Sequence, residues 1–302
     1  MISKNEIYSG LNNGILEERG AAFTSNLEKN LPSIAASGGL RGVVSRFAGK
    51  HVVIIGAGPS LDRNLPLLKR YGSRLDFVYV AADMALRPLL LCGIEPAFAI
   101  TCETTPSDFF SGLDTRGIHL LAFSCSSSSN LRKWKGKISF YNWMIEGEEY
   151  APLWDMAGRE LGSVATGSIV TTQAVSIVLG CHVASAALVG NDMGFSDRFY
   201  ASGTVGRERF THDSNRLNPD VNLNMSAARR SRLYELRRSG ALYYTNNQFL
   251  AAKYWLEGLF RSSPFPVVDC SEPGCSEGTV TKMELKRYFE SIQKNVIRGK
   301  FR

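Results

Sequence analysis

Residues 52 to 62 constrain this chain more than any other stretch: Val52-Val53-Ile54-Ile55-Gly56-Ala57-Gly58-Pro59-Ser60-Leu61-Asp62. Val52 to Ile55 is an apolar, β-branched run, the pattern of a strand buried on both faces. Gly56 and Gly58 permit a sharp bend and close approach to bare backbone. Pro59 suits the first turn of a helix, having no N–H to leave unpaired, and Ser60 suits its cap. A strand, a glycine bend and a helix start together aim N–H groups and the positive end of a dipole at one place, which favours phosphate. The same spacing also describes an ordinary turn whose glycines serve geometry alone, so both readings stand. The third glycine of the dinucleotide fingerprint is missing, as is the Gly-Lys-Ser/Thr ending of a triphosphate loop. Neither of those modes of binding is expected.

From Val52 onward strands and helices alternate. Strands are expected at 52–55, 77–82, 97–101, 118–123, 138–143 and 184–189, and a last one at 267–268. Short helices are expected at 64–71 and 86–92, a helix of small and apolar residues from 168 to 180, and others at 248–260 and 283–297. This order predicts an α/β, Rossmann-like fold: a mostly parallel sheet with helices on both faces. Right-handed crossovers then gather the strand C-termini on one rim, where ligands bind in such folds. Residues 1–48 read as a helical N-terminal extension whose role the sequence does not reveal. Residues 49–290 form the nucleotide-binding domain and 291–302 a basic tail. Between 196 and 248 the apolar periodicity fades into mixed aromatic, basic and amide residues, the pattern of a polar lid insertion.

A chain of 302 residues with 44% hydrophobic and 21% charged content buries a substantial core. Its net charge of +7 suits an anionic ligand but is too diffuse for nucleic acid. There is no apolar signal segment and no run long enough to span a membrane, which predicts a cytoplasmic protein. Cys92, Cys102 and Cys181 lie in apolar sequence and read as buried, reduced thiols. Cys270 and Cys275 lack two further zinc ligands, and no metal site is assigned.

Polar residues recur where strands end. Asp83 follows the second strand, Glu103 the third, and Asn191-Asp192 the one ending at Val189. Thr166-Gly167-Ser168 opens a helix and offers a second anion site, or equally a place of tight helix–sheet packing. His212, in the polar loop Phe-Thr-His-Asp, is a candidate general acid or base, or a surface histidine without a role.

Three segments carry a resemblance to a known family: Gly-Ala-Gly-Pro-Ser-Leu-Asp from 56, Ala-Ala-Asp-Met-Ala-Leu-Arg-Pro from 81, and Leu-Val-Gly-Asn-Asp-Met-Gly-Phe from 188. They resemble the domain shared by bacterial motility accessory factors and archaeal hydroxymethylpterin pyrophosphokinases. The segment Val267 to Thr279 is similar to a late segment of the motility factors. That resemblance implies a transferase passing a nonulosonic, sialic-acid-like sugar from a CMP donor to a protein such as flagellin. A more distant likeness is to bacterial CMP-sialic acid sialyltransferases. It implies that Gly56, Ala57, Gly58, Pro59 and Ser60, with Thr166, Gly167 and Ser168, hold the nucleotide, and that His212 is catalytic. Thr-Gly-Ser stands here where those enzymes have Thr-Ser-Gly, and Glu103-Thr104 where they have Asp-Pro.

Three functions follow as expectations. The favoured one is the glycosyltransferase, which needs no metal or other cofactor; Asp83 and His212 are its catalytic candidates, and Asp83, Glu103, Asn191 and Asp192 complete the nucleotide site. The alternative is a pterin diphosphotransferase using ATP with Mg²⁺ held by Asp83, Glu103 and Asp192. The third is a non-catalytic nucleotide-binding assembly factor. Oligomeric state is not readable from the sequence.

Overall fold

The computed structural model describes residues 15–72, 76–145, 149–196, 198–205, 233–238, 240–275, 278 and 280–299. The β-branched and aromatic runs form the strands β1 (His51–Ile55), β2 (Phe77–Ala82), β3 (Phe98–Thr101), β4 (His119–Phe123) and β5 (Ile138–Trp143). After them come β6 (Ser163–Val164), β7 (Ser185–Val189), the pair β8 (Leu233–Arg238) and β9 (Ala241–Asn246), then β10 (Val267–Asp269) and β11 (Thr281–Lys282). Nine of these make one sheet in the order β11-β10-β7-β1-β2-β3-β4-β5-β6. Every pairing in it is parallel. β8 and β9 stand apart as an antiparallel hairpin.

The helices are α1 (Ile15–Ser37), α2 (Leu61–Tyr71), α3 (Asp83–Leu91), α4 (Ser128–Leu131), α5 (Ala151–Ala157), α6 (Val170–Leu179), α7 (Asn247–Phe260) and α8 (Leu285–Gly299). Side chains alternate across a strand, and β1 shows it. Val52 and Ile54 enter a core with α1, α6 and α7, while Val53 and Ile55 enter a second core with α2 and α8. The expected α/β, Rossmann-like architecture is therefore what the chain adopts. Among the described residues no helix is long and apolar enough to cross a membrane.

Several bounds move by one to three residues, and two strands of the sheet appear that were not expected. α2 begins at Leu61 instead of Asn64, because a carboxylate from β7's end caps it, as described below. β6 and β11 have two residues each, too few for a periodic pattern to declare itself. The cysteines are all free, but Cys92 and Cys102 are only half-buried, unlike Cys181.

The role of α1, opaque in the sequence, is plain in the packing. Phe23 and Leu27 are fully buried, and Phe23 meets Phe123 and Trp143 edge-on at 5.6 Å each. On the same helix the Asn30 amide donates to the carbonyls of Ser124 (2.9 Å) and Ser126 (2.8 Å). The Asn26 amide donates to those of Thr104 (2.9 Å) and Cys125 (3.2 Å). The helix thus ties down the loops that leave β3 and β4. Phe23→Ala is expected to cost about 3–5 kcal/mol in urea unfolding, through the cavity left under the two aromatic rings.

Candidate functional site

β1 has its sequence successor β2 on one side and the late strand β7 on the other. Strand order reverses there, and a crevice opens at the C-terminal ends of such strands. The register puts Ile55 opposite both Ala81 and Val189, so the bends that follow all three strands are neighbours. They line one cavity of about 310 Å³.

The bends after β1 and β7 interlock. The Gly58 N–H donates to the Gly190 carbonyl at 2.8 Å, and the Asn191 amide donates to the carbonyls of Ile54 (2.9 Å) and Val189 (3.0 Å). A Cβ at Gly58 would lie 2.6 Å from the Asp192 carboxyl carbon, so this glycine makes room for a neighbouring side chain. That side chain is the main surprise of the site. The Asp192 carboxylate accepts the Ser60 N–H at 2.8 Å and the Ser60 hydroxyl as well, taking the place at the start of α2 where an external anion was one of the two readings. The glycines of this bend serve packing between two loops, and the helix start is already filled by the protein's own acid.

The second bend differs. Gly167 donates its N–H to the Thr172 hydroxyl at 2.8 Å, and a Cβ there would strike Trp255 at 2.7 Å. Ser168 has φ of 75°, a left-handed conformation that strains any residue with a Cβ. Its carbonyl is held by the Gln248 amide of α7 at 2.9 Å. The order Thr-Gly-Ser is thereby explained: the glycine stands where Trp255 demands it, and the serine takes the strained position. Ile169, Val170 and Thr171 line the cavity at the start of α6, and their N–H groups find no acceptor among the described residues. This helix start is open to an anion.

The acids at the strand ends are engaged by donors of the protein itself. Asp83, almost fully buried, accepts from the Thr101 hydroxyl (2.7 Å) and the Met84 N–H (2.8 Å). Burial raises its carboxyl to about 6, against those two hydrogen bonds, with nearby Glu103 adding to the rise. Burial likewise raises Asp192 to about 7, with the Ser60 hydrogen bonds pulling back and Asp269 pushing further up. Glu103 accepts from the N–H (2.8 Å) and hydroxyl (2.6 Å) of Thr105, closing its own turn. Among the described residues no group of three or more His, Cys, Asp or Glu is placed to hold a metal ion. Burial also lifts Tyr200, which lines the cavity near Asp83, above the ordinary phenol range.

Of the residues expected to bind nucleotide, Gly56, Ala57, Gly58, Asp83, Glu103, Ser168, Asn191 and Asp192 line this cavity. Pro59, Ser60, Thr166 and Gly167 are not in its lining; Ser60 and Thr166 instead bond to Asp192 and Gln173. His212 lies outside the described residues. Sequence reasoning missed Arg19 on α1, the aromatic residues Phe109, Phe199 and Phe249, and Gln248. None carries a motif, and the topology alone brings them in.

A family model described as "6-hydroxymethylpterin diphosphokinase MptE-like" matches residues 25–198, more than half of the chain. No match was found among curated proteins. Among solved structures, the chain is similar to the MAf glycosyltransferase from Magnetospirillum magneticum AMB-1, with a TM-score of 0.52 and 18% identity. The match covers 78% of this chain and 34% of that one, so the present chain spans about a third of the solved protein's length. At that identity the likeness is one of fold.

Proposed function

The chain belongs to the MptE-like family, and on that premise we propose that it is a transferase holding a phosphate-linked donor at the start of α6. The favoured donor is a CMP-activated, sialic-acid-like sugar, and the favoured acceptor a protein such as flagellin, in the cytoplasm. The observation that carries this reading is the pairing of an unfilled helix start with a buried acid. Ile169, Val170 and Thr171, whose N–H groups find no acceptor among the described residues, and Asp83 line the same cavity. The N–H groups would stabilise charge gathering on the departing phosphate. In the transfer, the bond from the sugar carbon to the CMP phosphate breaks and its electron pair leaves with the phosphate. The acceptor hydroxyl oxygen bonds that carbon, and its proton passes to Asp83, whose raised pKa suits a general base near neutrality. His212 is retained as a second proton-transfer candidate on the resemblance alone.

The family's description favours a second reading, diphosphate transfer from ATP. Its magnesium would need Asp83, Glu103 and Asp192 as a set. Each of these already accepts hydrogen bonds from the protein, Asp83 from Thr101 and Met84, Glu103 from Thr105 and Asp192 from Ser60, and among the described residues no three such acids are placed together, so they do not fit that ion. Calorimetry separates the readings. CMP is expected to bind without added metal, and ATP to gain nothing from magnesium. Binding of ATP only with magnesium would overturn the first reading in favour of the second. If neither nucleotide binds, a non-catalytic assembly role takes precedence.

A further inference from the structure

The cavity is lined by three acids and, among the described residues, by one cationic side chain, Arg19. Arg19 comes from α1, one helical turn before the buried Phe23 and on the same side of the helix, so the anchoring of Phe23 fixes where it stands. Its charge acts on Cys102, at the end of β3. The interlocked Gly58 and Asp192 lie instead at the β1–β7 end of the cavity. Arg19 makes no ion pair with a described residue, although Asp83, Glu103 and Asp192 share the cavity with it. Those acids are turned to Thr101, Thr105 and Ser60. A guanidinium at a cavity wall that no described carboxylate engages is available to an anion brought by a ligand. The start of α6 offers a separate seat for a phosphate, so this would be a second negative group on the same molecule. Arg19 also precedes the span matched by the family, residues 25–198.

We infer that Arg19 is a specificity-determining residue that reads a carboxylate on the transferred part of the donor, selecting acidic sugars. The inference rests on the donor reading given above, and the experiment is arranged to tell the two apart. CMP and CMP-N-acetylneuraminic acid serve as probes, the second carrying the extra carboxylate. Each is titrated calorimetrically into wild-type protein, Arg19→Gln and Arg19→Lys.

Arg19→Gln is expected to weaken CMP-N-acetylneuraminic acid about tenfold or more, the usual effect of losing a charge-assisted hydrogen bond, and to change CMP less than about twofold. Arg19→Lys, which keeps the charge, is expected to recover part of that loss. Equal weakening of both probes would overturn the inference by making Arg19 a phosphate ligand. No weakening of either would overturn it outright. Failure of the wild-type protein to bind CMP would instead fell the donor reading, and this inference with it. Arg19 is exposed and makes no ion pair among the described residues, so the variants keep the fold, and unchanged unfolding midpoints verify that.

Discussion

Gly190→Ala is expected to cost on the order of 3–5 kcal/mol of folding stability, one of the largest effects a single methyl can have in this protein. Gly190 has φ of 65°, a conformation that glycine adopts freely and alanine does not. The added Cβ would also lie 2.4 Å from the Gly56 carbonyl oxygen, a backbone atom that cannot rotate aside. Relief requires the two bends to part. That would stretch the 2.8 Å hydrogen bond from Gly58 to Gly190 and loosen the Asn191 amide from Ile54 and Val189. Urea unfolding measures the loss. Gly42→Ala is the control, since nothing lies within 4 Å of its Cβ position and its φ is not positive, and it should shift stability by less than about 0.5 kcal/mol. Wild-type stability in Gly190→Ala would mean that the bends do not depend on one another.

Asp83→Asn is expected to make the protein more stable at pH 8, equally stable at pH 4, and far less active. Burial raises the folded pKa to about 6 from an ordinary 3.8, so the folded chain holds this proton more tightly than the unfolded one. The stabilisation from protonation is complete below the unfolded pKa and is lost as pH rises through 6. A tenfold difference in proton affinity between the folded and unfolded chain is worth about 1.4 kcal/mol, so the ionised carboxyl costs roughly 3 kcal/mol at pH 8. Asparagine avoids that cost. Its oxygen can accept the Met84 N–H, and its amide can donate to the Thr101 hydroxyl, which rotates to accept. If Asp83 takes the acceptor's proton, transfer in the variant should fall by about 10²-fold or more, and the rise in rate near pH 6 should vanish. Destabilisation of the variant at both pH values would mark the carboxylate as a structural acceptor instead.

The strands were legible because burial on both faces demands continuous β-branched and aromatic runs, and β2 and β5 have the expected bounds. The common rim was legible for a related reason: parallel crossovers leave little choice about where strand ends gather. The identity of the helix start open to an anion was not. The bend at 56–60 has the stronger motif, yet its helix start is filled by Asp192, which lies 132 residues further along the chain from Ser60. The bend at 166–168 has the weaker motif, and the helix start after it leaves the N–H groups of Ile169, Val170 and Thr171 open among the described residues. Spacing along a chain says that N–H groups will be unpaired by their own helix. It cannot say whether a distant carboxylate will reach them.

Local patterning by itself determined seven of the nine strands of the sheet, their parallel direction and the rim where their ends gather, since these follow from backbone hydrogen bonding and the burial of apolar runs. Tertiary structure alone decided which acids are spent on capping, why glycine precedes serine at 167–168, and that α1 brings Arg19 to the cavity. Those outcomes depend on contacts between segments far apart in sequence, and a contact of that kind leaves no periodic trace in either partner.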